Sequence, residues 1–307
     1  MIIRRTAVWL IILMSCSVFC VAQNVADTDP SIGFRNNFRS EQPNPQLPQL
    51  TSAASSDQTS KSSNEDDAAE AALLESINRS RKQAGAAPLR SDDTLHAAAQ
   101  AHAELMVASR RLEHDFPGEP ALLQRIADVS PLALDGAGEN IALATCSDNA
   151  AEILFNSPPH RENLLNPKFN LAGIAAVWNR GHLYVVEDFV RQIQSYSPRE
   201  TGKLVGGAID NARSGASLPD LAELTVPKLD EAACNLATMG RPNAHLLAAT
   251  YAHRKIITYA QSQPQQLPSG ALRLLADPSL RQFAIGACYA RNATYPTGTY
   301  WIAILLN

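Results

Sequence analysis

Two apolar runs, Leu171 to Trp178 and His182 to Val190, are separated only by Asn179-Arg180-Gly181. So short a connection joins antiparallel neighbours, so the pair reads as a hairpin on which the preceding elements must pack. Those elements are helical. Leu73, Leu74, Ile77 and Ala84 share one helix face, and Gly85 is placed to end that helix. Ser91 is a good N-cap for a second helix, with Leu95, Ala98, Ala99, His102, Leu105 and Met106 along one face. Glu113 to Gly138, with Pro117, Gly118, Pro131, Gly136 and Gly138, reads as loop. Asp148 to Phe155 reads as a short helix. Ser157-Pro158-Pro159 then starts another, with Ser as cap and Pro in the first turn. Helices closed by a hairpin imply an α+β layered domain over residues 67–195 rather than a parallel sheet.

The flanks differ in kind. Arg4 and Arg5, the apolar run Ala7 to Val21 and a small-residue site at Cys20-Val21-Ala22 have the layout of a signal peptide over residues 1–22. A membrane anchor or a lipoprotein signal at Cys16 is the alternative. Removal of the signal would leave no transmembrane span in the mature chain, which would be secreted, periplasmic or held at the cell surface. Residues 23–66 are rich in Ser, Asn, Gln and Pro, as a flexible tether would be.

Beyond Ser195, residues 196–307 form a second α+β region. Gly202 to Leu218 looks like a connection, Leu229 to Met239 and His245 to Gln261 look helical, and Phe283 to Arg291 with Thr299 to Leu306 looks like a second hairpin. Leu164-Leu165-Asn166-Pro167 before Gly173-Ile174-Ala175 is loosely repeated as Leu274-Leu275-Ala276-Asp277-Pro278 before Gly286-Ala287. A degenerate second copy and a chance match of common residues both fit.

A formal charge of −4 offers no concentrated basic surface, so nucleic acid is excluded as a partner on electrostatic grounds. After export Cys146, Cys234 and Cys288 remain, which allows one pair and leaves one thiol; Cys234 with Cys288 is the favoured pair. The absence of Cys-x-x-Cys, His-Glu-x-x-His, Gly-x-Ser-x-Gly and a phosphate loop removes the common signatures of thiolate zinc sites, zinc proteases, serine hydrolases and nucleotide enzymes.

Four segments, in order, resemble the CAP superfamily of SCP-like extracellular domains in its short bacterial form. They are Ile77-Asn78-Arg79 with Pro88-Leu89; Leu112-Glu113-His114; Gly138-Glu139-Asn140-Ile141-Ala142; and Ser157-Pro158-Pro159-His160-Arg161-Glu162-Asn163-Leu164-Leu165. The resemblance covers about 120 residues and implies a three-layer α/β/α sandwich with an antiparallel sheet. It also implies a cleft lined by His114, Glu139 and His160, with His114 and His160 as metal ligands in some members. Two imidazoles and a carboxylate suit Zn2+ with an open fourth position. His160, at the third helical position, lies at the positive end of a helix dipole, which favours the neutral ring that a metal needs. Glu139 is placed to fix one imidazole in a single tautomer.

Plainer readings stand beside these. Glu139 also fits a structural loop carboxylate, His160 a polar helix start and His114 an ordinary loop histidine. His102, on an apolar stripe, reads as a satisfied core histidine, and His96 as a surface one. Ser157 is better explained as an N-cap than as a nucleophile. The chain departs from the family pattern where many relatives carry Trp, since Leu154 stands there. The second family Glu has only Glu152 and Glu162 as nearby candidates.

The resulting expectation is a non-enzymatic module for a small or lipid-like ligand or an envelope component. The alternative is a metal-dependent hydrolase with Glu139 as general base. A purely structural spacer, with the three side chains scattered, is the third.

Overall fold

The computed structural model describes residues 56–252 and 254–307. The expected signal peptide and most of the expected tether lie outside these residues. The remainder forms two successive α/β layers, each built on a four-stranded sheet.

The first half runs α1 (Ser56–Gln83), β1 (Arg90–Ser91), α2 (Asp93–Ser109), α3 (Leu122–Val129), β2 (Leu134–Ala144), α4 (Ser147–Asn156), α5 (Pro158–Leu165), β3 (Leu171–Asn179) and β4 (His182–Gln192). Its sheet has the order β1-β3-β4-β2, with β1 parallel to β3 and the other pairs antiparallel. The β3–β4 hairpin is as expected. Arg180 and Gly181 at its tip both have positive φ, 51° and 80°, the handedness that matches the strand twist. On one face α1, α4 and α5 enclose Leu73, Ile77, Leu154, Leu164, Val185 and Phe189. On the other, α2 and α3 cover Met106, Ile126, Ile141, Val186 and Val190. The result is helix–sheet–helix.

β3 is flanked by β1 only near its start, and side chains satisfy the open edge beyond. Ala176 and Trp178 donate their amides to Glu70 (3.1 Å) and Asp66 (3.0 Å) of α1, and the Ile174 carbonyl meets His96 Nδ1 at 2.8 Å. His96 is therefore half-buried and structural rather than a surface residue. Gly173 is required here: a Cβ on it would come within 2.2 Å of the Leu95 backbone, where α2 crosses the strand.

Several expectations need correction. α1 starts at Ser56, inside the expected tether, because a helix anchored by Leu73 and Ile77 extends at one hydrogen bond per added residue. The cap of α2 is Asp92, whose carboxylate accepts from Thr94 and Leu95, and Ser91 belongs to β1. The stretch read as loop from Glu113 to Gly138 contains α3 and the start of β2. Gly138 sits in that strand because a Cβ there would lie 2.8 Å from Asn163 Oδ1 of α5, so the glycine admits a close helix.

The second half runs α6 (Pro198–Gly215), β5 (Ala222–Glu223), α7 (Leu229–Thr238), α8 (Ala244–Ala248), β6 (Lys255–Gln261), α9 (Ser269–Leu275), β7 (Gln282–Ala290) and β8 (Thr299–Leu306). Gly202 to Leu218 is thus mostly helix, started by a Ser197/Glu200 capping box that overrides its glycines. His245 to Gln261 is not one helix: α8 is short, and the β-branched run Ile256-Ile257-Thr258 belongs to β6. Cys234 and Cys288 form the expected disulfide, which ties α7 to β7. Cys146 is also disulfide-bonded in the full chain.

The second sheet has the order β5-β7-β8-β6, with β5 parallel to β7 and the rest antiparallel, strand for strand the arrangement of the first. Details repeat too. Buried Arg81 donates from Nε to the Ala87 carbonyl and from Nη1 to those of Leu164 and Asn166. Buried Arg213 donates likewise to Pro219, Leu275 and Asp277. Pro167 and Pro278 each follow the second Nη1 acceptor of their arginine. Gly286 stands to Leu229 as Gly173 stands to Leu95, since a Cβ on it would lie 2.2 Å from the Leu229 carbonyl oxygen.

Candidate functional site

The site grows from the end of α2. Arg110 takes a left-handed conformation (φ 54°) and turns the chain back over the helix. His102, fully buried in α2, holds the returning segment: its Nε2 is 2.9 Å from the Glu113 carbonyl oxygen, so that nitrogen donates. Nδ1 lies 2.7 Å from Glu119 and 2.8 Å from Arg125 Nη1. His102 is therefore the satisfied core histidine expected of it, and it places the next residue, His114.

His114 Nδ1 is 2.7 Å from Glu139 Oε1. With a carboxylate as acceptor Nδ1 is the donor, so Nε2 is the ring nitrogen left for an outside partner. The His114 side chain is 37% exposed and that of Glu139 only 5%. The other Glu139 oxygen accepts from Arg125, which extends from α3 and also meets Glu119 at 3.0 Å. Both carboxylate oxygens are thus engaged. Burial raises the Glu139 carboxyl, but the His114 hydrogen bond and the charges of Arg125 and His102 outweigh it and hold the group below its usual range.

Asp188 faces Glu139 in the β2–β4 register and is fully buried. Burial first, and then the charge of Glu139, push its carboxyl well above the usual range, which favours a proton there. Two cationic or cation-forming groups, Arg125 and His102, thus sit among three carboxyl groups.

His160 lies in α5, in the opposite helical layer from α2. Asn140 Nδ2 donates to its carbonyl at 3.2 Å, and Asn163 Nδ2 bridges the Glu139 carbonyl (3.2 Å) and Asn140 Oδ1 (3.0 Å). The structure therefore joins His114 to Glu139 by direct contact and links α5 to the same strand through asparagines. Among the described residues no three His, Cys, Asp or Glu side chains are grouped to hold a metal ion. Glu139, divided between an imidazole and a guanidinium, does not fit as a third ligand.

A cavity of about 240 Å³ lies between α1, α4 and α5 on the far side of the sheet. Leu154 and Glu152, at the positions where the family pattern departs, both line it, and Glu187 is at its base. Burial, partly offset by a 3.1 Å hydrogen bond from Asn140, raises the Glu187 carboxyl to about 7. Sequence reasoning missed Glu119, Arg125, Asp188 and Glu187. Leu122, Leu123 and Ile126 at helical spacing would have exposed α3 and with it Arg125; nothing local marks the buried carboxyls.

The first half is thus an α+β helix–sheet–helix sandwich. Residues 74–189 match the model of the cysteine-rich secretory protein family, CAP. Over 108 residues the chain is 32% identical to the uncharacterized protein YkwD of Bacillus subtilis (strain 168), covering 34% of this chain and 41% of that protein. The chain thus spans about two-fifths of the curated relative's length. An extracellular protein with an SCP domain from Bacillus anthracis str. Ames is 25% identical, with 46% of this chain and 45% of that one covered and a TM-score of 0.40. An outer surface protein from Borrelia burgdorferi is 24% identical, with 39% and 90% covered and a TM-score of 0.37. No helix among the described residues is long and apolar enough to cross a membrane.

Proposed function

We propose that this is an exported, non-enzymatic binding module that takes a small or lipid-like ligand or an envelope component against His114. The observation that carries the reading is the full engagement of Glu139 by His114 and Arg125. A carboxylate so held, and pushed down rather than toward neutrality, is a poor general base, because efficient proton transfer needs a matched and accessible group. It is well suited to fixing a ring. His114, 37% exposed at its side chain, then has Nε2 left for a ligand, two residues from Leu112, which is 42% exposed. A ligand with a hydroxyl or amide donor and an apolar portion fits this edge.

Export rests on the N-terminal sequence pattern and on the secretory character of the family that residues 74–189 match. For the second half we propose a degenerate copy of the same fold that has lost the site. The strand registers place Thr258 where the first half has Glu139 and Ala303 where it has Asp188. Counted from the repeated arginine contacts, Ala271 falls where His160 stands.

The test is co-sedimentation of the full mature chain with phospholipid vesicles and with isolated cell-wall sacculi, for wild type and His114→Ala. Retention on either that drops at least about tenfold in the variant supports the reading. Equal retention of the two proteins, or peptide or ester turnover that vanishes in Glu139→Gln, overturns it.

A further inference from the structure

The second half touches the first at the helix that supplies Arg125. Arg291, which follows β7, donates from Nη1 to the Ala127 carbonyl (2.9 Å) and from Nη2 to those of Ser130 (2.8 Å) and Leu132 (3.0 Å). These carbonyls lie at and just beyond the end of α3, where a helix leaves its last acceptors unpaired and where a cation also meets the negative end of the dipole. Buried Thr297 adds a hydrogen bond from Oγ1 to the Leu134 carbonyl at 3.1 Å, at the first residue of β2. The two elements held from outside are thus the two that carry Arg125 and Glu139.

Within the first half, α3 is held by Ile126 in the core and by the bonds of Arg125 itself. It is two turns long, Ala121 makes no side-chain cap at its N-terminus, and its buried residues are Arg125 and Ile126. An isolated helix of that length is marginal, so its position depends on tertiary anchors. A small shift of α3 moves Arg125 relative to Glu139, Glu119 and His102 together.

We propose that the second half acts on the site through α3, and that Arg291 is a positioning residue for the His114–Glu139 pair. The half that has lost its own site is retained as a brace for the one that keeps it. The proposal requires the pair itself and no ligand, so its failure is separable from failure of the binding reading.

The experiment is NMR on the full mature chain, comparing wild type, Arg291→Ala and Lys255→Ala. The last removes an ion pair to Asp277 inside the second half, far in sequence from α3, and serves as a control for lost stability. Two signatures are read at one pH: hydrogen exchange of the Arg125 guanidinium protons, and the ring ¹⁵N pattern of His114 that reports its tautomer. Arg291→Ala should speed Arg125 exchange at least about tenfold and mix the His114 tautomers, while core amides of α2 stay protected and Lys255→Ala changes neither signature. If Arg291→Ala does not fold, Arg291→Lys, which keeps the charge but lacks the planar fork, gives the same reading in weaker form. Wild-type Arg125 exchange and a wild-type His114 pattern in the folded variant, or equal changes in Lys255→Ala, overturn the proposal.

Discussion

His114 and Glu139, 25 residues apart in sequence, meet at 2.7 Å because buried His102 pins the loop that carries one and a sheet edge holds the other. The hydrogen bond converts an exposed loop histidine into an oriented one. Its cost is a carboxylate that has left water, and Arg125 offsets that cost only while α3 stays in place.

Removing the guanidinium should therefore be severe. Arg125→Ala leaves Glu119 and Glu139 buried without their cation and is expected to cost about 3–5 kcal/mol in urea unfolding. A loss below about 1 kcal/mol would mean that the carboxyls reach water in solution.

Glu187 makes stability fall as pH rises. Its folded value of about 7 lies above the ordinary 4.5, so the folded state holds a proton that the unfolded state releases first. The associated stability is present below the ordinary value and is lost as pH passes up through about 7. Glu187→Gln should flatten that part of the profile, gaining on wild type by roughly 3 kcal/mol between pH 4 and pH 8. Parallel profiles for the two proteins in chemical denaturation would contradict the assignment.

The crossing glycines are expected to tolerate no side chain. Gly173→Ala and Gly286→Ala each drive a methyl group into the backbone of the crossing helix, with no flexible atom to give way. Each should lower stability by at least about 2 kcal/mol, whereas Gly207→Ala, with open space around it, should sit within about 0.5 kcal/mol of wild type. Melting curves of the three variants decide this.

Metal should matter little. With no grouped donor triad among the described residues, zinc or a chelator is expected to leave the wild-type Tm within about 1 °C. A rise of several degrees that disappears in both His114→Ala and His160→Ala would support a two-imidazole site.

What was legible in the sequence followed from local signals. The β3–β4 hairpin announced itself by its short turn, α5 by Ser157 and the two prolines, and the disulfide by position. His114 and Glu139 were visible as members of ordered motifs. What stayed hidden were cases where tertiary contact overrides composition. β2 looked like loop because Gly138 is there for Asn163 and not for a turn. α6 looked like linker because its capping box outweighs its glycines. Arg125 was out of sight because its helix has no strong cap and leans on Arg291, 166 residues further along the numbering.

The paired arginines also bear on how such chains are found. Arg81 clips its helix to three remote carbonyls and Arg213 to two, and both guanidinium groups are buried. The residues that hold the scaffold and those of the candidate site are therefore separate sets in this polypeptide. A search keyed to histidines and glutamates will pass over stripped relatives. One keyed to an interior arginine, a following X-Pro corner and a mid-strand glycine would pick them up.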